Sequence, residues 1–198
     1  MTNLIMSKLL YFLLFLFSST VFSQKTTQSI EVKEYVLKNG LTVMLSENSE
    51  SSNIYGVVAV KAGGKNDPKD ATGIAHYLEH VLFKGTQELG TTDYESERVY
   101  LDSISKLYEK LSKTSLEEKR SAIQKEINRI SIKASQYAIP NELDKLLKQM
   151  GGLDINAFTN EDYTAYYNSF PPNQINRWLE IYSHRFQNPV FRLFQSEL

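Results

Sequence analysis

The order of elements along the chain is compatible with an α+β fold, and three observations agree with it. β-prone runs open the chain, a charged stretch with helical period fills its middle, and a second hairpin followed by an aromatic-striped helix closes it. From Glu31 to Leu37 apolar Val32, Tyr35 and Leu37 alternate with Glu31, Lys33 and Glu34. Asn39-Gly40 then precedes Leu41-Thr42-Val43-Met44-Leu45, the strongest short signal for a hairpin. Ile54 to Val60 (IYGVVAV) reads as a third strand, buried, and Gly63 to Pro68 as a loop.

A helix is expected from near Asp70–Gly73 to about Phe83, ended by Gly85. Thr92 with Glu95, and Ser115 with Glu118, are possible capping boxes. Tyr100, Ile104, Leu107, Tyr108 and Leu111 follow the first, and Ile123, Ile127, Ile130 and Ala134 the second, at helical spacing. Two such helices with a short joint read as an antiparallel pair. It is either a lid or partner surface, or a solvated insertion. A short helix from Pro140-Asn141 to Met150 breaks at Gly151-Gly152. Leu153 to Phe158 and Tyr163 to Tyr167 read as a hairpin around Asn160-Glu161-Asp162. Pro171-Pro172 opens a helix with Ile175, Trp178, Leu179, Tyr182 and Phe186 on its core face. His184 on that helix reads as structural.

Residues 1–23 have the form of a secretory signal. Lys8 is their one charge, Leu9–Phe17 is wholly apolar, and Val21-Phe22-Ser23 suits cleavage after Ser23. An uncleaved anchor is the alternative, but the apolar run is short for a span of roughly 20 residues. The protein is therefore expected to be exported, periplasmic or otherwise extracytoplasmic, with no stable membrane anchor after cleavage. Cysteine is absent, so stability there rests on packing rather than disulfides. Beyond the signal, 21 basic residues face 23 acidic ones, net −2, with no basic patch to suggest nucleic acid. The length suits one domain over residues 24–198. Gln195-Ser196-Glu197-Leu198 reads as the opening of a helix with no stop signal, as expected of a fragment of a longer protein.

The chemistry sits in His76-Tyr77-Leu78-Glu79-His80, which holds two of the chain's three histidines. Residues i, i+3 and i+4 share a helix face. Two imidazoles at that spacing can each offer a nitrogen to one Zn²⁺. Glu79 then points at the same place without binding the metal, where a base could take a proton from an activated water. The string H-x-x-E-H inverts the H-E-x-x-H zincin motif.

The motif extends to His76-Tyr77-Leu78-Glu79-His80-Val81-Leu82-Phe83-Lys84-Gly85-Thr86. With Leu37-Lys38-Asn39-Gly40-Leu41 before it, and Gly151-Gly152, Asn156-Ala157-Phe158-Thr159 and Asn188-Pro189-Val190-Phe191 after it, the chain resembles the N-terminal part of an insulinase/pitrilysin (M16) peptidase. The resemblance covers most of residues 30–198. It implies a LuxS/MPP-like metallohydrolase domain: a mixed, mostly antiparallel sheet with helices on one face and the metal helix on the sheet. It implies Zn²⁺ on His76 and His80, Glu79 as general base, and a third zinc ligand, a Glu on the helix after Asn188-Pro189. Glu197 aligns with a supporting acid about two turns before that ligand, or is itself the ligand. Asn156, Ala157, Phe158 and Thr159 match the family's substrate strand, to which a peptide adds as a further strand. The helical pair at about residues 93–138 departs from the short form of the family and looks like an insertion. A second homologous half, in the same or a partner chain, is implied as well. The expected activity is that of an exported zinc metalloendopeptidase acting on peptides or unfolded polypeptides. The alternative is a non-catalytic peptide-binding or scaffold subunit.

Overall fold

The computed structural model describes residues 30–193, so the signal expected at 1–23 and Glu197 lie outside the described residues. The chain divides into two units at residues 49 and 50. In the first, β1 (Lys33–Val36) pairs antiparallel with β2 (Thr42–Leu45), from Lys33 opposite Leu45 to Val36 opposite Thr42. The expected Asn39-Gly40 turn lies between them. Gly40 takes a positive φ of 84°, and the Asn39 side chain accepts from the Leu41 amide.

The second unit holds β3 (Ile54–Val60), α1 (Ile74–Val81), α2 (Tyr94–Ser112), α3 (Glu117–Ser135), α4 (Glu142–Gln149), β4 (Leu153–Thr159), β5 (Thr164–Phe170) and α5 (Ile175–Gln187). Its sheet runs β3-β5-β4, with both pairings antiparallel. All described strand pairings are antiparallel and fall in two sheets, of two and three strands.

One face of the three-stranded sheet carries the core. Alternation aims Tyr166, Asn168 and Phe170 of β5 inward, and each is nearly inaccessible to solvent. Trp178 of α5 stacks on Phe170 at 5.2 Å and on Tyr182 at 4.2 Å between ring centres. The buried Asn168 carbonyl accepts from Trp178 Nε1 (2.8 Å) and from the Tyr182 hydroxyl (3.0 Å), so two polar groups in this stack are satisfied. Gly56 makes the close approach possible, because a Cβ there would lie 2.6 Å from the Trp178 ring.

Two sequence expectations are corrected here. β3 was expected to be buried, yet Tyr55 and Val57 are exposed, because helices cover a single face. On α5 the core stripe is Trp178, Ile181, Tyr182 and Arg185, while Ile175 and Leu179 are exposed. The buried edge of that helix is thus rotated from the expected one and includes a cation.

α2 and α3 share a core of their own, made of Ile104, Leu111, Ile123, Ile127 and Ala134. The caps differ from the expected boxes. Asp93, not Thr92, caps α2 by accepting from the Ser96 amide, and α3 starts after Leu116 with no side-chain cap. No helix among the described residues is long and apolar enough to cross a membrane.

Candidate metal centre

α1 is only eight residues long and is held at both ends by other segments. At its N-terminus Asp67, six residues upstream in the loop, accepts from the amides of Gly73 (2.6 Å) and Ala75 (2.9 Å). A carboxylate there satisfies orphan amides and suits the positive end of the helix dipole. At the other end Arg185 Nε donates to the Leu82 carbonyl (3.0 Å), a cation on the negative end.

The turn that follows α1 is held by a second arginine. Arg192 donates from Nη1 to the carbonyls of Lys84 and Leu89 (both 2.8 Å) and from Nη2 to that of Thr86 (2.7 Å). Its Nε also meets the Glu97 carboxylate at 3.0 Å, with both side chains almost wholly buried. Gly85, at φ 107°, leaves the space, because a Cβ there would stand 2.8 Å from Arg192 Nη1.

Between these anchors α1 presents the motif. His76 and His80 are exposed, and their Nε2 atoms stand 3.2 Å apart. Two nitrogens on one tetrahedral zinc at about 2.0–2.1 Å would be separated by about 3.3 Å, so the pair fits a shared metal. Glu79 is turned inward at 8% exposure, toward the end of β4. Its Oε2 accepts from the Thr159 hydroxyl at 2.5 Å, and no other hydrogen bond reaches this carboxylate among the described residues. No cluster of three or more potential metal-binding His, Cys, Asp or Glu side chains occurs among the described residues. His184 lies instead beside Glu88, with Nδ1 3.4 Å from the carboxylate.

Arg185 lies beneath this site at 1% exposure. Its guanidinium sits 4.2 Å from the centre of the Phe83 ring and 4.3 Å from that of Tyr166, and among the described residues its two terminal nitrogens meet no acceptor at full hydrogen-bond geometry. The aromatic faces take the place of acceptors. Burial lowers its pKa, opposed by Tyr182, Tyr166 and Glu79. Burial also pushes Tyr166 up to about 12, with Arg185 opposing and Glu79 adding to the rise.

Among the described residues β4 is an edge strand, paired with β5 along one side. A bulge between Leu153 and Asn156 interrupts the register, and Asp154 takes φ 52°. The inward-facing Ala157 is opposite Tyr166 and Thr159 is opposite Thr164, while Phe158 looks outward among Tyr163 and Tyr167. The structure thus brings Thr159 to Glu79, and with it one end of the expected substrate strand to the motif helix. Sequence reasoning missed Arg185, Arg192 and Asp67. Arg185 had a signal: it lies at core spacing from Trp178, Ile181 and Tyr182.

A family model described as Insulinase (Peptidase family M16) matches residues 42–107 and 127–197. A Helicobacter pylori protein named zinc protease PqqE is 31% identical over 120 residues, which are 60% of this chain and 24% of that one. Among solved structures, a protease from Helicobacter pylori superposes at TM-score 0.57 and 23% identity, covering 85% of this chain and 29% of the other. The first half of the periplasmic protease PqqL from Escherichia coli superposes at TM-score 0.52 and 17% identity, covering 80% and 25%. These two structural likenesses speak to the fold. The match spans only 7–8% of the length of other relatives.

Proposed function

The chain belongs to the insulinase family of peptidases, M16, and from that premise we propose that it carries the metal helix of an exported zinc metalloendopeptidase. The substrates are peptides or unfolded polypeptides. The observation that carries the reading is the pair of imidazole nitrogens 3.2 Å apart, with the Glu79 carboxylate on the same short helix.

His76 and His80 hold the zinc. Bound there, the metal supplies a Lewis acid that acidifies an attacking water and polarises the scissile carbonyl. Glu79 takes the proton of that water and later gives it to the departing amine. The free edge of β4, over Asn156, Ala157, Phe158 and Thr159, offers backbone donors and acceptors to an extended substrate. That mode favours unfolded chains, because a folded protein rarely offers an unpaired strand. The third ligand comes from the segment after α5, with Glu197 as supporting acid or as the ligand itself.

In this reading residues 1–23 are a signal peptide and 24–198 a LuxS/MPP-like domain. α2 and α3 belong to an insertion at about 93–138, whose outer part, residues 108–126, lies outside the two matched segments. The domain works with a second homologous half, in the same or a partner chain.

Glu79→Gln keeps the side chain's shape and removes the base. In the full-length, zinc-loaded protein it is expected to lower cleavage of an unstructured peptide by about 10²–10⁴-fold, with zinc content unchanged. Retained cleavage would overturn the reading.

A further inference from the structure

We propose that Thr159 is a positioning residue for Glu79: its hydroxyl holds one carboxylate oxygen and leaves the other to carry the proton. This rests on the general-base reading of Glu79. The 2.5 Å bond to Oε2 crosses 80 residues of sequence and is the one hydrogen bond to that carboxylate among the described residues. Glu79 has three side-chain torsions, and its last is broad and roughly two-fold. Without a partner the two oxygens would exchange places freely.

Thr159 is itself held. It is half-buried on β4, directly opposite Thr164, and its Oγ1 lies 3.2 Å from Thr164 Oγ1. Thr164 Oγ1 in turn stands 3.0 Å from the Ala62 carbonyl, to which it donates. With the Thr159 proton on Glu79 and the Thr164 proton on the Ala62 carbonyl, no proton lies between the two threonine oxygens, so the β4–β5 pairing of Thr159 with Thr164 is what places the hydroxyl beside the carboxylate. A hydroxyl suits the task for a second reason. It donates to a carboxylate, and it can accept from a carboxylic acid by turning its own proton toward Thr164. Glu79 thus keeps a partner before and after it takes the proton of water. An amide N–H at this position would serve only the first of those states.

A purely structural role would also tether β4 to α1, so the test must separate the two. In the full-length, zinc-loaded protein, with an internally quenched peptide that the wild type cleaves, Thr159→Val removes the hydroxyl at constant shape. The expected result is a fall in kcat of about 10- to 100-fold, the scale of one hydrogen bond to a charged group. KM, zinc content and Tm stay near wild type, and Thr159→Ser recovers kcat to within about threefold of wild type. Should valine lower Tm by several degrees, Thr159→Ala against Thr159→Ser gives the same comparison without placing a second methyl group against the carboxylate. The inference is overturned if removing the hydroxyl leaves kcat unchanged, if serine is as slow as valine, or if KM alone rises. Glu79→Gln run beside them keeps the two proposals apart. An active glutamine variant removes the general-base reading itself. An inactive one, with valine fully active, removes only the role of Thr159.

Discussion

Arg192 and Glu97 form a buried ion pair, and losing either partner leaves the other charge uncompensated. The pair is buried at 2% and 0% exposure, and the guanidinium fills its remaining donors with three backbone carbonyls. Removing Glu97 leaves that cation buried beside carbonyls alone. Glu97→Ala is therefore expected to destabilise by about 3–5 kcal/mol, seen as a shifted midpoint in urea. Lys65 and Asp162, which also pair but are more than half exposed, make the control: Asp162→Ala should change stability by under about 1 kcal/mol. Equal effects from the two variants would refute the argument. Tyr166 offers a test by pH. Its folded pKa, near 12, lies above the ordinary 10.0, so folding favours the neutral phenol. The stability this contributes is complete below about pH 10 and is lost as pH climbs from 10 to 12. Tyr166→Phe, which keeps the ring against Arg185, should flatten part of that alkaline decline; an unchanged curve would count against it. At this scale the sequence was legible where chemistry is local. His76, Glu79 and His80 announce themselves by spacing. Thr159, Asp67 and Arg192 act across gaps in sequence, through atoms that only folding brings together, and spacing says nothing of them.

Among the elements, periodicity placed most segments well, because the apolar repeat and the Gly and Pro breaks are local facts. Ile54–Val60 is a strand as expected, and the Asn39-Gly40 and Asn160–Asp162 turns sit between paired strands. Burial was read less well. A continuous apolar run such as β3 looks the same whether one face or two are covered. The α2–α3 pair shows what an element can do without. Its outer part, residues 108–126, contributes Leu111 and Ile123 to a core of its own and lies outside the family match. Burying those two side chains stabilises by about 1.5–3 kcal/mol each. The helix axes are separated by about 8–10 Å, which a short linker spans. Replacing 108–126 by such a linker in the full-length protein should shift Tm by only a few degrees and leave kcat/KM for a peptide within about threefold. A folded variant that has lost cleavage would instead make the pair a lid or partner surface.

For the whole molecule, a metal centre fed by distant segments turns metal binding into folding energy. His76 and His80 come from α1, and the proposed third ligand comes from beyond α5, so zinc would close a loop of more than a hundred residues through the core between them. A ligand that binds only the folded state stabilises it by RT ln(1 + [L]/Kd), about 2.7 kcal/mol at a hundredfold excess over Kd. Chelation of the full-length protein should therefore lower Tm by several degrees, and His76→Ala should abolish the difference between zinc-loaded and chelated samples. A Tm indifferent to chelation in the wild type would argue that zinc is not held between these segments. The same measurement decides the place of Glu197. A supporting acid that orients a ligand should cost about 10- to 100-fold in zinc affinity when changed to glutamine, leaving a weakened but real thermal response. A direct ligand, once neutralised, should remove that response as completely as His76→Ala does.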